Sequence, residues 1–147
     1  MLRIMKIEDY DAVYALWKSI KGFSLRSMDD SYEGVKKFLA RNPHTSVVHM
    51  TGGQITGSIL CGHDGRRGYF YHVCVASPAR MQGAGKAMVR FCLDALKKEG
   101  IVKASLIAFR HNEIGNAFWE KIGWTKRDDL NFYDFTLDSG NIMTINE

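Results

Sequence analysis

A chain of 147 residues, 46% hydrophobic and 24% charged, is long enough to bury one core, and its composition is not that of a disordered, fibrous or collagen-like protein. Its formal charge of +4 is spread along the sequence, which favours an anionic small molecule over a nucleic acid, whose binding needs a clustered basic face. No apolar run is long enough to span a bilayer, and three cysteines without a CxxC spacing (Cys61, Cys74, Cys92) argue against a disulfide framework or a cysteine zinc site, so a reduced, cytoplasmic protein without membrane contact is expected.

The N-terminus, MLRIMKIEDYD, meets an acidic pair at once and lacks a signal-peptide core. Leu2 to Ile7 alternates as a first strand. A helix follows from about Asp9 to Ile20 on the spacing of Val13, Leu16, Trp17 and Ile20, and Gly22 ends it. Residues 22–30, GFSLRSMDD, read as a loop. Ser31 caps a second helix carrying Val35, Phe38 and Leu39, which stops before Asn42-Pro43. A strand meander comes next: Thr45 to Met50, a Gly52-Gly53 turn, Gln54 to Cys61, the turn GHDGRRG over 62–68, then Tyr69 to Ala76. Ala84, Met88, Val89, Cys92, Leu93 and Leu96 form one helical stripe, with Lys97 and Lys98 near its C-terminus and Gly100 as its stop. Val102 to Phe109 reads as a buried strand and Asn112 to Ile122 as a helix stopped by Gly123. Trp124 onward and Phe132 to Leu137 read as two closing strands. The order β-α-α-β-β-β-α-β-α-β-β predicts one α/β (α+β) domain over 1–147. Its sheet should be mixed and mostly antiparallel, with helices on both faces.

Between the third meander strand and the following helix lies RMQGAGKA, residues 80–87. Gly83 and Gly85 leave backbone N–H groups uncovered at a helix start, beside Arg80 and Lys86, an arrangement that suits phosphate. The stretch is not a P-loop. Arg80 stands where that motif needs its first glycine, and Ala87 where it needs Ser or Thr. Nor is it a dinucleotide fingerprint, because Met88 stands at the third glycine position. A glycine turn that merely starts a helix is the plain alternative.

VCVASPARMQGAGKA, residues 73–87, resembles the coenzyme A signature of the GNAT (GCN5-related N-acetyltransferase) family, in which Arg or Gln is followed by two residues, Gly, one residue, then Gly or Ala. Arg80, Gly83 and Gly85 match it. HNEIGNAFWEKIGW is similar to the family's last helix, which begins at Asn, here Asn112, and ends in Gly-aromatic, here Gly123-Trp124. The order of elements matches over nearly the whole chain, and GHDGRRG resembles a branch of uncharacterised bacterial members. The resemblance implies acetyl-CoA as cosubstrate, no metal, and direct acetyl transfer to an amine. The pyrophosphate would lie on the N–H groups of Met81, Gln82, Gly83, Ala84, Gly85 and Lys86, with Arg80 adding charge. The backbone of Val73, Cys74 and Val75 would hold the pantetheine arm like an added strand. Asn112 would hold the same arm, or simply cap its helix.

Acetyl transfer needs a base for the amine, a donor for the oxyanion and an acid for the thiolate. The N–H of Val75 is the implied oxyanion donor. Many relatives carry a tyrosine seven residues after the helix-starting Asn; here Trp119 stands there, and an indole donates a hydrogen bond without giving up a proton. The glutamate of many protein N-terminal acetyltransferases is replaced by Ile107. Tyr133 is the candidate acid, or an ordinary strand residue. His72 is the candidate base, histidine being the side chain that ordinarily titrates nearest neutrality, or a hydrogen-bonded sheet residue. Alternation puts Tyr69, Tyr71 and Val73 on one strand face and Phe70, His72 and Cys74 on the other. Cys74 is a distant candidate nucleophile. Asp29 and Asp30 read first as helix-capping residues and second as attractors of a cationic amine. His63, Asp64, Arg66 and Arg67 read as turn residues or as the acceptor entrance, and His44, His49 and His111 show no metal-ligand pattern. The expected acceptor is a small-molecule or peptide amine, and pairing into a homodimer through sheet edges is a family habit. A catalytically degenerate acyl-CoA-binding module, acting as sensor or partner, is the alternative function.

Overall fold

The computed structural model describes residues 1–147. In chain order the elements are β1 (Leu2–Ile4), α1 (Tyr10–Ser19), β2 (Ser24–Arg26), α2 (Tyr32–Arg41), β3 (Val47–Thr51), β4 (Gln54–His63), β5 (Gly68–Val75), α3 (Ala84–Lys98), β6 (Ala104–Ser105), α4 (Glu113–Lys121) and β7 (Met143–Ile145). Two compact units divide the chain. The first is Met1–Leu106 with Gly140–Glu147, and the second is Ile107–Ser139.

The first unit is built on a five-stranded sheet of order β1-β3-β4-β5-β6, antiparallel throughout except for the parallel β5–β6 pair. This is the mixed, mostly antiparallel sheet that the strand meander predicts. The pleat sorts its residues. Val48, Leu60 and Cys74 bury against Val13, Leu16 and Trp17 of α1 and Val35 and Leu39 of α2. Their neighbours Val47, Ile59 and Cys61 are fully buried on the other face, where α3 lies, and Cys61 meets Cys92 there. Two glycines let α3 sit close. A Cβ on Gly57 would come within 2.8 Å of Met88 Cε, and one on Gly68 within 2.6 Å of Leu96 Cδ1. The buried Trp17 indole donates to Ser58 Oγ (3.2 Å), tying α1 to the sheet centre. No helix is long and apolar enough to cross a membrane.

Three local expectations change. Part of the stretch read as a loop, residues 22–30, forms β2, which pairs antiparallel with β7 in a separate two-stranded sheet. Asn146 fixes this pair by donating to the carbonyls of Trp17 and Ile20, 2.8 Å each. The strand expected over 102–109 shrinks to β6, paired with β5 only at Gly68 and Tyr69. The closing strands expected from Trp124 onward and over 132–137 do not form. Their residues have strand-like alternation but no ladder partner, and Phe132, Phe135 and Leu137 are exposed.

The second unit is held by local contacts. Asn112 caps α4 by accepting from the Gly115 N–H (3.0 Å), and Asn116 Nδ2 donates to the Phe109 carbonyl (3.1 Å). The Trp119 and Trp124 rings lie 4.8 Å apart, and Trp124 N–H donates to the Trp119 carbonyl (2.9 Å).

Candidate active site

The loop between β5 and α3 turns through two left-handed residues, Met81 (φ 65°) and Gly83 (φ 81°). Gly83 is the residue before α3, and no side chain caps the helix. The first intrahelical bond runs from the Ala87 N–H to the Gly83 carbonyl (3.0 Å), so the N–H groups of Ala84, Gly85 and Lys86 precede the hydrogen-bonded ladder. A Cβ on Gly83 would meet no atom within 4 Å, so the space beside Gly83 is open. They open a helix of fifteen residues, with the positive end of its dipole at the opening. Lys86 is exposed beside it. Arg80 turns back, and its Nε donates to the Val75 carbonyl (3.0 Å).

The free edge of β5 begins where β6 ends. Pairing with β6 stops after Tyr69, which leaves the edge from Phe70 to Val75 without a neighbouring strand in this unit. The Ala76 N–H donates to the Thr56 carbonyl of the β4 side (2.7 Å), so alternation turns the Val75 N–H away from β4, to that free edge. The same alternation turns the backbone of Cys74, opposite Ser58, toward β4.

The strict alternation expected along β5 also fails, for a physical reason. The register jumps from Ser58↔Cys74 to Leu60↔Tyr71, so two residues, His72 and Val73, oppose Ile59 alone. His72 is the left-handed residue of this bulge (φ 52°). The extra residue brings Tyr71, His72 and Cys74 to the α1/α2 face together. The His72 ring packs on Trp17 and Phe23, with centroids 4.7 and 4.9 Å away. Its Nε2 is 2.7 Å from Asp30 Oδ1. Asp30 is not the capping residue expected. Ser31 Oγ caps α2, while Asp30 is buried, and its Oδ2 accepts the Arg26 N–H at 2.7 Å. No spacing in the sequence connects Asp30 with His72, which stand 42 positions apart.

Neighbouring titratable groups are pushed away from neutrality. Burial, with Tyr71 close by, raises the Tyr69 phenol to about 12, and burial with the Asp29 charge raises Tyr71. Burial raises the Cys74 thiol to about 11, against a weaker opposing contact from Ser58 Oγ at 3.5 Å. A thiol so held supplies little thiolate at pH 7. Iodoacetamide at neutral pH is expected to leave Cys74 unlabelled in the folded protein and to label it after denaturation. Labelling of the folded protein would restore Cys74 as a nucleophile.

The turn residues behave as such. Asp64 accepts the Arg66 and Arg67 N–H groups (2.8 Å each), and His63 Nε2 pairs with Glu99 at 2.8 Å. His49 Nδ1 meets Thr56 Oγ1 at 2.9 Å. Val73, Val75, Arg80 and the loop amides thus fall in the first unit along with the His72–Asp30 pair. Asn112, Trp119 and Tyr133 belong to the second unit, where Asn112 is a helix cap and Tyr133 is 86% exposed.

Residues 10–124 match the Acetyltransferase (GNAT) family. An acetyltransferase of Pectobacterium atrosepticum is 28% identical over 127 residues, covering 86% of this chain and 89% of the relative. Among solved structures, the PaiA N-acetyltransferase of Thermoplasma acidophilum in complex with coenzyme A has the same fold. Its TM-score is 0.73 at 15% identity, over 97% of this chain and 95% of that one. A predicted acetyltransferase of Clostridium acetobutylicum with acetyl-CoA gives a TM-score of 0.70 at 16% identity, over 91% of this chain and 95% of that one.

Proposed function

The chain belongs to the GNAT family of N-acetyltransferases, and from that premise we propose that it moves an acetyl group from acetyl-CoA to a primary amine of a small molecule, protein or peptide. The amine attacks directly in a ternary complex, and the whole chain, 1–147, serves as one acetyltransferase domain. The observation that carries the reading is the open N-terminus of α3. Its first amides lie ahead of the helical ladder, and no atom lies within 4 Å of where a Gly83 Cβ would stand, which suits the close approach of a diphosphate.

The remaining roles follow from the chemistry. Met81 to Lys86 and Arg80 receive the pyrophosphate, and Val73 and Val75 hold the pantetheine along the free edge of β5. The Val75 N–H, directed off the sheet, stabilises the developing oxyanion. His72 takes the amine proton and Tyr133 gives one to the thiolate. Asn112 and Trp119 line the arm, and Trp119 contributes packing without proton transfer.

Trp119 also keeps a second reading in view, an acyl-CoA-binding module without turnover. One assay separates the two. Release of free CoA thiol, followed against a panel of mono-, di- and polyamines, aminoglycosides and lysine peptides, is expected to rise with at least one amine class. Tight CoA binding with no release across the panel would support the non-catalytic module instead.

A further inference from the structure

The His72–Asp30 pair is built with more care than a sheet contact requires. A side chain at positive φ is disfavoured, yet β5 accepts one at His72, and the bulge turns the ring toward α1 and the β2–α2 connection. Asp30, which meets it there, is 5% exposed and fully engaged. Its Oδ1 faces His72 Nε2 and its Oδ2 accepts the Arg26 N–H. Its own N–H reaches the Arg26 carbonyl (3.0 Å), and its carbonyl accepts the Tyr10 hydroxyl (2.7 Å). The carboxylate cannot rotate without breaking these bonds.

This geometry decides the ring's proton. An ionised carboxylate only accepts, so Nε2 is the nitrogen that donates, and the neutral ring then carries its lone pair on Nδ1. Nδ1 makes no hydrogen bond in the chain. No buried side-chain nitrogen or oxygen lacks a partner, so Nδ1 reaches solvent. Trp17 and Phe23 hold the ring plane.

We propose that Asp30 is a positioning residue that fixes the tautomer and aim of His72, so that His72 acts as general base through Nδ1 on the acceptor ammonium. This rests on the acetyl-transfer reading above. The ammonium gives one proton to Nδ1. The amine lone pair then forms the C–N bond at the thioester carbonyl, and the C–S bond breaks with its electrons on sulfur. Tyr133 gives its proton to the departing thiolate, and the second amine proton restores the phenol. The products are the acetamide, the CoA thiol and one proton, which His72 returns to water.

Ring ¹⁵N NMR on the wild type, with His72 assigned through a His72→Gln spectrum, reads the tautomer with neither acceptor nor CoA. The expected result is a proton on Nε2 and a bare Nδ1 in the neutral ring; a proton on Nδ1 overturns the proposal. In Asp30→Asn the amide oxygen keeps the Arg26 N–H and presents its NH₂ to Nε2, which moves the ring proton to Nδ1. With an accepted amine, kcat should then fall about tenfold, part of the roughly 10²–10⁴ that a general base contributes. CoA affinity, amine KM and thermal midpoint should hold. An unchanged kcat overturns the base role, and a lowered midpoint with unchanged kcat makes the pair a structural clasp only. Should Asp30→Asn fail to fold, His72→Gln keeps a donor toward Asp30 but has no base, and its turnover at the wild-type rate also overturns the proposal. Calorimetric binding of CoA to the wild type reads the acetyl-transfer premise separately, and its failure would leave the tautomer result standing.

Discussion

Gly83→Asp is expected to reduce acetyl-CoA affinity well beyond tenfold, more than about 1.4 kcal/mol of binding free energy, in a protein that still folds. Two features of the site make the substitution informative. Gly83 sits at φ +81°, where a side chain is strained, but Asp and Asn tolerate that region better than other residues. Nothing lies within 4 Å of the new Cβ, so the fold meets no clash. The introduced carboxylate would stand over the α3 amides, where the dipole favours a negative charge. It would occupy the anion position itself and repel the diphosphate. Gly83→Asn separates the two effects, since it adds the same bulk without the charge and should lose less. Calorimetric titration with CoA gives both numbers. Affinity unchanged in a folded Gly83→Asp protein would remove the phosphate cradle from the mechanism.

Tyr133→Phe is expected to lower turnover by about 10²–10⁴-fold, the usual contribution of a general acid, with acetyl-CoA binding unchanged. In water a phenol and a thiol titrate within about two pH units of each other, so a phenol can return a proton to a departing thiolate without a large mismatch. The substitution keeps the ring, and the residue is 86% exposed, so thermal stability should hold. Steady-state kinetics with an accepted amine, alongside CoA titration, provide the check. A Phe variant at the wild-type rate would make Tyr133 an ordinary surface residue and leave thiolate protonation to water or to His72.

What could be read without coordinates was local. The helix stripe from Ala84 to Leu96, the capping serine of α2 and the glycine loop each depend on residues within one or two turns of each other. The His72–Asp30 contact spans 42 positions and exists only because the strand gains one residue at the bulge. A period-two reading of YFYHVCVA therefore separates His72 from Tyr71, with which it shares a face. The β2–β7 pair joins three-residue segments from opposite ends of the first unit, with no turn signal between them. At Phe132 to Leu137 the error runs the other way. Propensity for a strand is written in the residues, but a strand exists only where another backbone completes its hydrogen bonds.

The bond from Arg80 Nε to the Val75 carbonyl has a thermodynamic consequence for whatever docks beside it. An unrestrained arginine loses rotamer freedom when it grips an anion, and that loss opposes binding. Here the folded chain has already restricted this side chain, so the ordering entropy belongs largely to folding and little of it remains to be lost at the encounter. The same bond joins the segment that leads into the cradle to the carbonyl end of the residue whose N–H leaves the sheet. A positive charge and a directed amide are thereby held in fixed register before any ligand arrives.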